Sequence, residues 1–203
     1  LVDGLIGKAL DFDGGDDFLE VAGLNSLTSV SSNFSIEFFL AFDDLASDHG
    51  LLITDYDAYD RCRLQYYNSD TEFNLSIYTG TKYGSKIDDG GISTGDYVHI
   101  VGDWDANSSN PEIYRDNTNG VDGYYDGFAI DSYQRIAEAN GYHLFGTIVV
   151  FRVYSRLLSD SFRKSNFYAL NDDLLTWSTT ETTGTETTTV TKDISWNISV
   201  GDT

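Results

Sequence analysis

Apolar and polar residues alternate with a period of two along segment after segment of this chain, which limits the fold to one built from strands. Asn33–Phe42 (NFSIEFFLAF) is a long, aromatic-rich example, and Glu72–Tyr78 (EFNLSIY) and Tyr97–Trp104 (YVHIVGDW) alternate cleanly. Phe145–Tyr154 reads as another buried strand, with β-branched residues from Ile148 to Val153. Turn signals separate these segments: Asp13-Gly14-Gly15-Asp16, Asp89-Gly90-Gly91, Asn107-Ser108-Ser109-Asn110-Pro111, Asn119-Gly120 and Asp122-Gly123. Many short strands with a single proline among 203 residues predict an antiparallel sandwich or barrel. One segment turns to helix: Ser159–Leu170 opens on a capping serine, with Asp160 in the first turn. Ser132–Asn140 is expected to be a loop with a helical turn, because Gly141 follows at once.

Charge limits the partners. Twelve Lys and Arg stand against 33 Asp and Glu, a net charge of −21, and only five of the cations are lysine. Nucleic-acid binding needs a basic face and is excluded as the default. An anionic membrane surface would repel the chain, and no apolar run approaches the ~20 residues a spanning helix needs. Self-repulsion of this size is relieved by molar salt, which screens charges within about 3 Å. A surface rich in Asp and poor in Lys is therefore expected of a protein of high-salt surroundings; an ordinary acidic secreted domain is the other reading. Hydrophobic residues at 40 % supply a core. The chain begins Leu1-Val2-Asp3 and holds no methionine, as expected of a processed form or of a piece of something longer. Cys62 is the single cysteine, so no internal disulfide and no Cys-based zinc site can form. In the alternating run Arg61–Tyr66 it reads as a buried structural thiol in preference to a reactive one.

Composition shifts after Asn171. Thr176–Thr191 is mostly threonine, which suits either a mucin-like stalk or a β-hairpin about Gly184. Ile194–Val200 alternates again and favours strands. The chain is accordingly divided into a domain over residues 1–171 and, over 172–203, a Thr-rich β arm or the start of a further β module.

The motifs from residue 4 to residue 170 resemble a known pattern. Gly7–Val21 (GKALDFDGGDDFLEV) looks like the opening strand pair of laminin-G-like, concanavalin A-like lectin/glucanase domains. Phe34–Phe39 is similar to that family's F-T-I-x-x-W strand, and Asp96–Trp104 to its x-W-H-H-V-A-x-x-Y/W. Ile113–Asn117 matches L-Y-V-D-G. Phe145–Asp160 (FGTIVVFRVYSRLLSD) matches the closing F-x-G-x-I-D-x-V-R-I-Y-x-R-A-L-S-x-E/D. The resemblance implies an all-β, antiparallel two-sheet jelly-roll sandwich with one short helix near the C-terminal end of the domain. It also implies one concave sheet face with loops at its rim. Function does not follow from it, because one fold hosts many activities.

Four chemistries remain to be weighed. Asp13, Asp16 and Asp17 share one Gly-rich turn and offer the hard oxygen ligands that suit Ca²⁺. Many relatives hold Ca²⁺ at a sandwich edge, but where the closing motif has a carboxylate this chain has Val149, so backbone carbonyls would have to replace it. Asp55, Asp57 and Asp60 form a second oxygen-rich loop without an EF-hand glycine or terminal Glu. In so acidic a chain both clusters also read as solvated surface carboxylates, with Asp16 and Asp17 bonding backbone N–H groups. Sugars stack on exposed aromatic faces, and Tyr56, Tyr59, Tyr66, Tyr67, Tyr83, Tyr124 and Tyr125 are the candidates; Trp104, on an alternating strand, reads as core. Catalysis is not expected. Glycosidases of this fold need paired carboxylates such as E-x-D-x-x-E, which no Glu here provides; His49, His99 and His143 are isolated, and no G-x-S-x-G or H-E-x-x-H occurs. N-x-S sequons lie at Asn33, Asn74, Asn107 and Asn197. The expectation is a non-catalytic binding or adhesion module, extracellular or on a cell or virion surface, that recognises a glycan or glycoprotein. The alternative is a structural decoration or spacer module joined to neighbouring subunits through its C-terminal arm.

Overall fold

A computed structural model describes the backbone of residues 2–4, 7–57, 60–123, 134–139, 141–170, 176–183 and 186–193, and the side chains of residues 9–54, 61–123, 134–139 and 141–170. The chain divides into two units, Leu1–Leu158 and Ser159–Thr203.

The first unit is a sandwich of two antiparallel sheets, each of seven strands among the described residues. The first sheet runs in the order β1 (Val2–Gly4), β2 (Gly7–Asp13), β16 (Phe145–Tyr154), β4 (Phe34–Phe42), β9 (Tyr97–Asp105), β10 (Asn110–Arg115) and β11 (Thr118–Asn119). The second runs β12 (Val121–Asp122), β8 (Lys82–Asp88), β7 (Glu72–Tyr78), β6 (Asp60–Tyr67), β5 (His49–Asp57), β13 (Gln134–Ile136) and β3 (Leu19–Glu20). A small hairpin, β14 (Glu138–Ala139) with β15 (Tyr142–His143), and a helical turn, α1 (Leu24–Leu27), complete the unit. This is the two-sheet sandwich that the resemblance implies, one of the two architectures the alternation allows.

Two local readings are corrected. The opening segment is no strand pair: β2 lies in the first sheet and β3 in the second, because the turn after Asp13 carries the chain across. The segment read as a loop with a helical turn contains β13 and β14, which pair with β5 and β15. Strands of two or three residues are too short to show a period in the sequence.

Period-two alternation builds the core directly. Phe34, Ile36, Phe38, Leu40 and Phe42 of β4, with Val98, Ile100 and Trp104 of β9, join Cys62, Leu64 and Tyr66 of β6 and Phe73, Leu75 and Ile77 of β7 in one buried cluster. Each such side chain removed from water contributes about 1.5–3 kcal/mol before entropy is counted. Trp104 satisfies its indole by donating to the Val30 carbonyl at 2.9 Å. The opposite side of β4 is buried too, and there Glu37 lies fully buried among three donors. His99 Nε2 stands 2.8 Å away, Arg152 Nη1 3.2 Å and the Tyr154 hydroxyl 2.7 Å. A carboxylate survives such burial only when donors replace its water. Burial, and then the bond to Glu37, raise the Tyr154 phenol above its ordinary range.

In the second unit, α2 (Asp160–Leu170) is the helix the capping pattern predicts. Ser159 Oγ accepts the Phe162 N–H at 3.3 Å, as an N-cap should. Arg163, Asn166 and Leu170 are its buried residues, spaced along one face. The Thr-rich stretch forms the antiparallel pair β17 (Thr176–Thr183) and β18 (Glu186–Asp193), in register from Thr176↔Asp193 to Thr183↔Glu186. The alternating run Ile194–Val200 lies outside the described residues.

Candidate functional site

A cleft of about 320 Å³ opens at one end of the sandwich, where several connections converge. Its walls come from Asp13 at the end of β2, Gly14 and Gly15 in the turn, Asp44, Ser47 and Asp48 before β5, His49 at the start of β5, Gly141–His143, and Phe145 at the start of β16. Gly14 has φ +75°, and a Cβ there would stand 2.7 Å from the Phe145 Cβ, so the turn accepts no side chain. Phe145 pairs with Asp13 across the sheet and is 39 % exposed.

His49 ties these segments together. It is 1 % exposed and packs against the Phe42 and Tyr66 rings. Its Nε2 faces the Asp44 carbonyl at 2.7 Å, while Nδ1 lies 3.3 Å from the Phe145 N–H and 3.2 Å from the His143 carbonyl. The loop before β5, the β14–β15 hairpin and the start of β16 therefore share one buried ring.

The carboxylates of the cleft are held by local backbone. Asp13 accepts the Gly15 N–H at 2.8 Å, Asp44 the Ala46 N–H at 2.9 Å, and Asp48 the Asn68 N–H at 2.9 Å. The Ala46 N–H, helped by the Ser47 hydroxyl, holds the Asp44 carboxyl below the usual carboxylate range. A carboxylate has about four lone-pair sites, so these bonds leave each group with spare acceptor capacity.

Beside the cleft, ligand atoms of Asp13, Asp16 and Asp17 all lie within 4.8 Å of one another, on exposed side chains. Oxygens on opposite sides of one Ca²⁺, each at about 2.3–2.6 Å, stand about 4.6–5.2 Å apart, so atoms gathered within 4.8 Å are compatible with one shared hard cation. The same oxygens also shape the turn, since Asp17 accepts the Asp13 N–H at 3.4 Å. The expected link to Val149 is corrected. Val149 is the bulged residue between Ile148 and Val150. It lies four residues along β16 from Phe145, the partner of Asp13, so the two positions are about 13 Å apart along the strand. A carboxylate at Val149 would not reach this turn.

The outer face of the second sheet is the other polar surface. Alternation that sends Cys62, Leu64, Leu75 and Ile77 inward sends Arg61, Arg63, Gln65, Asn74 and Ser76 outward. Arg61 is 4 % and Arg63 2 % exposed, and Arg61 lies over the Tyr78 ring at 5.6 Å. The hairpin β14–β15 covers one end: Gln65 Nε2 donates to the Ala139 carbonyl at 3.1 Å, and a Cβ on Gly50 would meet the Ala139 nitrogen at 2.0 Å. Lys82, Lys86 and Arg135 occupy positions on the same face, so five of the twelve cations share it.

Of the tyrosines singled out from sequence, the three with described side chains, Tyr66, Tyr67 and Tyr83, do not line the cleft. Tyr66 is a core residue, 1 % exposed, packed by Phe42 and Phe73 with its hydroxyl donating to Asp89 at 3.0 Å, so its ring offers no sugar platform. Tyr67 is buried as well and donates to Gln65 at 2.6 Å. Tyr83 packs against Trp104 at the edge of the core. Tyr59, Tyr124 and Tyr125 lie outside the described residues, as do the side chains of Tyr56, Asp55, Asp57 and Asp60; β5 and β6 carry the latter three, with Asp57 opposite Asp60. Among the sequons, Asn74 is buried within β7, Asn33 accepts the Ala106 N–H at 2.9 Å, Asn107 is exposed on a turn, and Asn197 lies outside the described residues. Cys62 is buried in the core. Sequence reading missed Asp44, Asp48, Tyr142 and Phe145, which no local motif joins. The signal available was only that each sits at a strand end beside a turn.

No curated protein matches the chain in sequence. Among solved structures, it is similar to the CBM40 of Ruminococcus gnavus IT-sialidase bound to α2,3-sialyllactose, with TM-score 0.62 and 11 % identity over 79 % of this chain and 96 % of that one. It is similar to domain 4 of AbnA, a GH43 extracellular arabinanase of Geobacillus stearothermophilus in complex with arabinotriose, with TM-score 0.59 and 17 % identity over 80 % and 78 %. The SAP-like pentraxin of Limulus polyphemus gives TM-score 0.55 and 12 % identity over 91 % of both chains. At these identities the likeness is one of fold. Among the described residues no helix is long and apolar enough to cross a membrane. The family model for the concanavalin A-like lectin/glucanases superfamily matches residues 13–161, and the chain belongs to that superfamily.

Proposed function

We propose that this chain is a non-catalytic glycan-binding module whose ligand occupies the cleft at the sandwich end. The observation that carries the reading is the pairing of an exposed aromatic ring, Phe145, and Tyr142 with carboxylates that keep spare acceptor oxygens. A sugar offers an apolar ring face for the former and hydroxyl donors for the latter. Domains of similar fold with sialyllactose and arabinotriose bound support it. A glycan array followed by calorimetry tests it: Phe145→Ala and Tyr142→Ala each weaken a bound glycan about tenfold, roughly the 1.4 kcal/mol that a stacked ring supplies. Affinity untouched by both substitutions places the ligand elsewhere, and hydrolysis of the glycan that disappears on Asp44→Asn contradicts the non-catalytic reading. A cation such as Ca²⁺ on Asp13, Asp16 and Asp17 would brace the cleft wall, and calorimetry with Ca²⁺ on the parent chain and Asp16→Asn tests that separately.

We read the high-salt setting from charge. A chain at −21 in an extracellular or virion-surface setting of high salt gains stability as salt screens its self-repulsion. Its melting temperature should climb steadily from 0.1 to 3 M KCl; a flat response contradicts the high-salt setting.

A further inference from the structure

We infer that the cleft at the sandwich end takes a neutral or amino-bearing sugar and rejects sugars that carry a carboxylate or sulfate. The inference rests on the glycan reading of that cleft. Three carboxylates, Asp13, Asp44 and Asp48, line the cleft together with two histidines, His49 and His143, and among its described lining residues there is no lysine or arginine. Asp16 and Asp17 add two more carboxylates within 4.8 Å of Asp13. An ionised carboxylate accepts hydrogen bonds and donates none, so its spare oxygen pairs with a hydroxyl, an amide N–H or an ammonium group. Set against a second anion, the same oxygen offers only repulsion. Near 0.1 M salt the screening length is about 10 Å, so all three carboxylates act together on a ligand in a cleft of this size.

The distribution of cations points the same way. Five of the twelve lie on the outer face of the second sheet, where Lys86 pairs with Glu72 at 2.9 Å and Arg135 with Glu138 at 3.1 Å. Arg115 lies against Asp88 and Asp116. No cation from these groups lines the cleft to receive an acidic sugar. The cleft therefore combines an aromatic wall, which any pyranose face can use, with a charge that discriminates among them.

Calorimetry on the whole chain with three probes tests this: chitotriose (free amines), its N-acetylated counterpart and 3′-sialyllactose, at pH 6 in 0.15 M and 2 M KCl. Chitotriose is expected to bind at least about tenfold tighter than sialyllactose at the lower salt, with the gap closing at 2 M. The double substitution Asp44→Asn/Asp48→Asn keeps an acceptor oxygen for Ala46 and Asn68 and should remove that gap. Asp13→Asn, which keeps the Gly15 bond, should narrow it, and serves where the double variant does not fold. Asp105→Asn/Asp160→Asn removes the same charge outside the cleft and should leave the gap intact. Sialyllactose binding as tightly as chitotriose, with loss on Phe145→Ala, overturns the charge selection and keeps the glycan reading. A gap that shrinks equally in the Asp105/Asp160 control overturns it too, by assigning the preference to net charge. No binding of any probe or array glycan overturns both.

Discussion

At the sandwich end, carboxylates sit at strand ends and in the connections between strands, exposed at Asp13 and half-buried at Asp44 and Asp48, and each accepts a backbone N–H two to twenty residues away. On the outer face of the second sheet, guanidinium groups sit on central strands, and Arg61 and Arg63 are 4 % and 2 % exposed. The contrast teaches how an acidic chain places charge. A short Asp on a turn is satisfied by its neighbours and still has an oxygen to offer. A long Arg on a strand lays its methylene stem along the sheet, and its charge becomes part of the packing. The first arrangement is available for recognition, and the second is a structural commitment.

The sharpest way to break that contrast is to truncate one member of each set. Arg63→Ala truncates a buried side chain and leaves a cavity under the sheet face, and should cost about 2–5 kcal/mol in denaturant unfolding, while Asp48→Asn should stay within about 0.5 kcal/mol. Equal costs would erase the distinction. Next in size, His49→Ala should cost about 2–3 kcal/mol, because it opens a cavity and orphans the Asp44 carbonyl and Phe145 N–H. It should also lower affinity at the cleft without touching the sheet face; a stable variant with an intact cleft would show that the rim needs no central tie.

The smallest effect concerns Asp89, a buried carboxylate that fits neither set. Tyr66 donates to it from the core, and burial first, then that bond, push the phenol up to about 12. The folded value lies above the ordinary 10, so the fold favours the neutral phenol. Its contribution is complete below pH 10 and is lost as pH rises from 10 through about 12. Tyr66→Phe should cost about 1–2 kcal/mol at neutral pH and flatten the stability profile across that alkaline window. An unchanged profile would mean that Asp89 is satisfied without the phenol.

The sandwich could be read from β4, β7 and β9 because each sends every second residue into the core, and that period is written in the chain itself. That Tyr66 faces inward follows from the same alternation, since it shares its parity with Cys62 and Leu64; that Tyr67, on the outer face, is buried as well does not. Nor does the fate of polar residues such as Asn74 and Arg63, which alternation sends outward and the molecule then buries. The Asp13 turn was visible as a cluster because its members are adjacent. Asp44, Asp48, Tyr142 and Phe145 were not, because about a hundred residues separate the two halves of the cleft and only β-pairing brings them together.

Cys62 gives the molecule a built-in clock. It is the single thiol of the chain and lies at 0 % exposure between the sheets, flanked across the ladder by Thr54 and Ile77. A small alkylating reagent can meet that sulfur only when the second sheet parts from the first, whereas opening of the rim turns leaves it covered. Mass gain at one atom thus separates excursions of the whole sandwich from breathing at its mouth, with no label to introduce and no competing site to subtract.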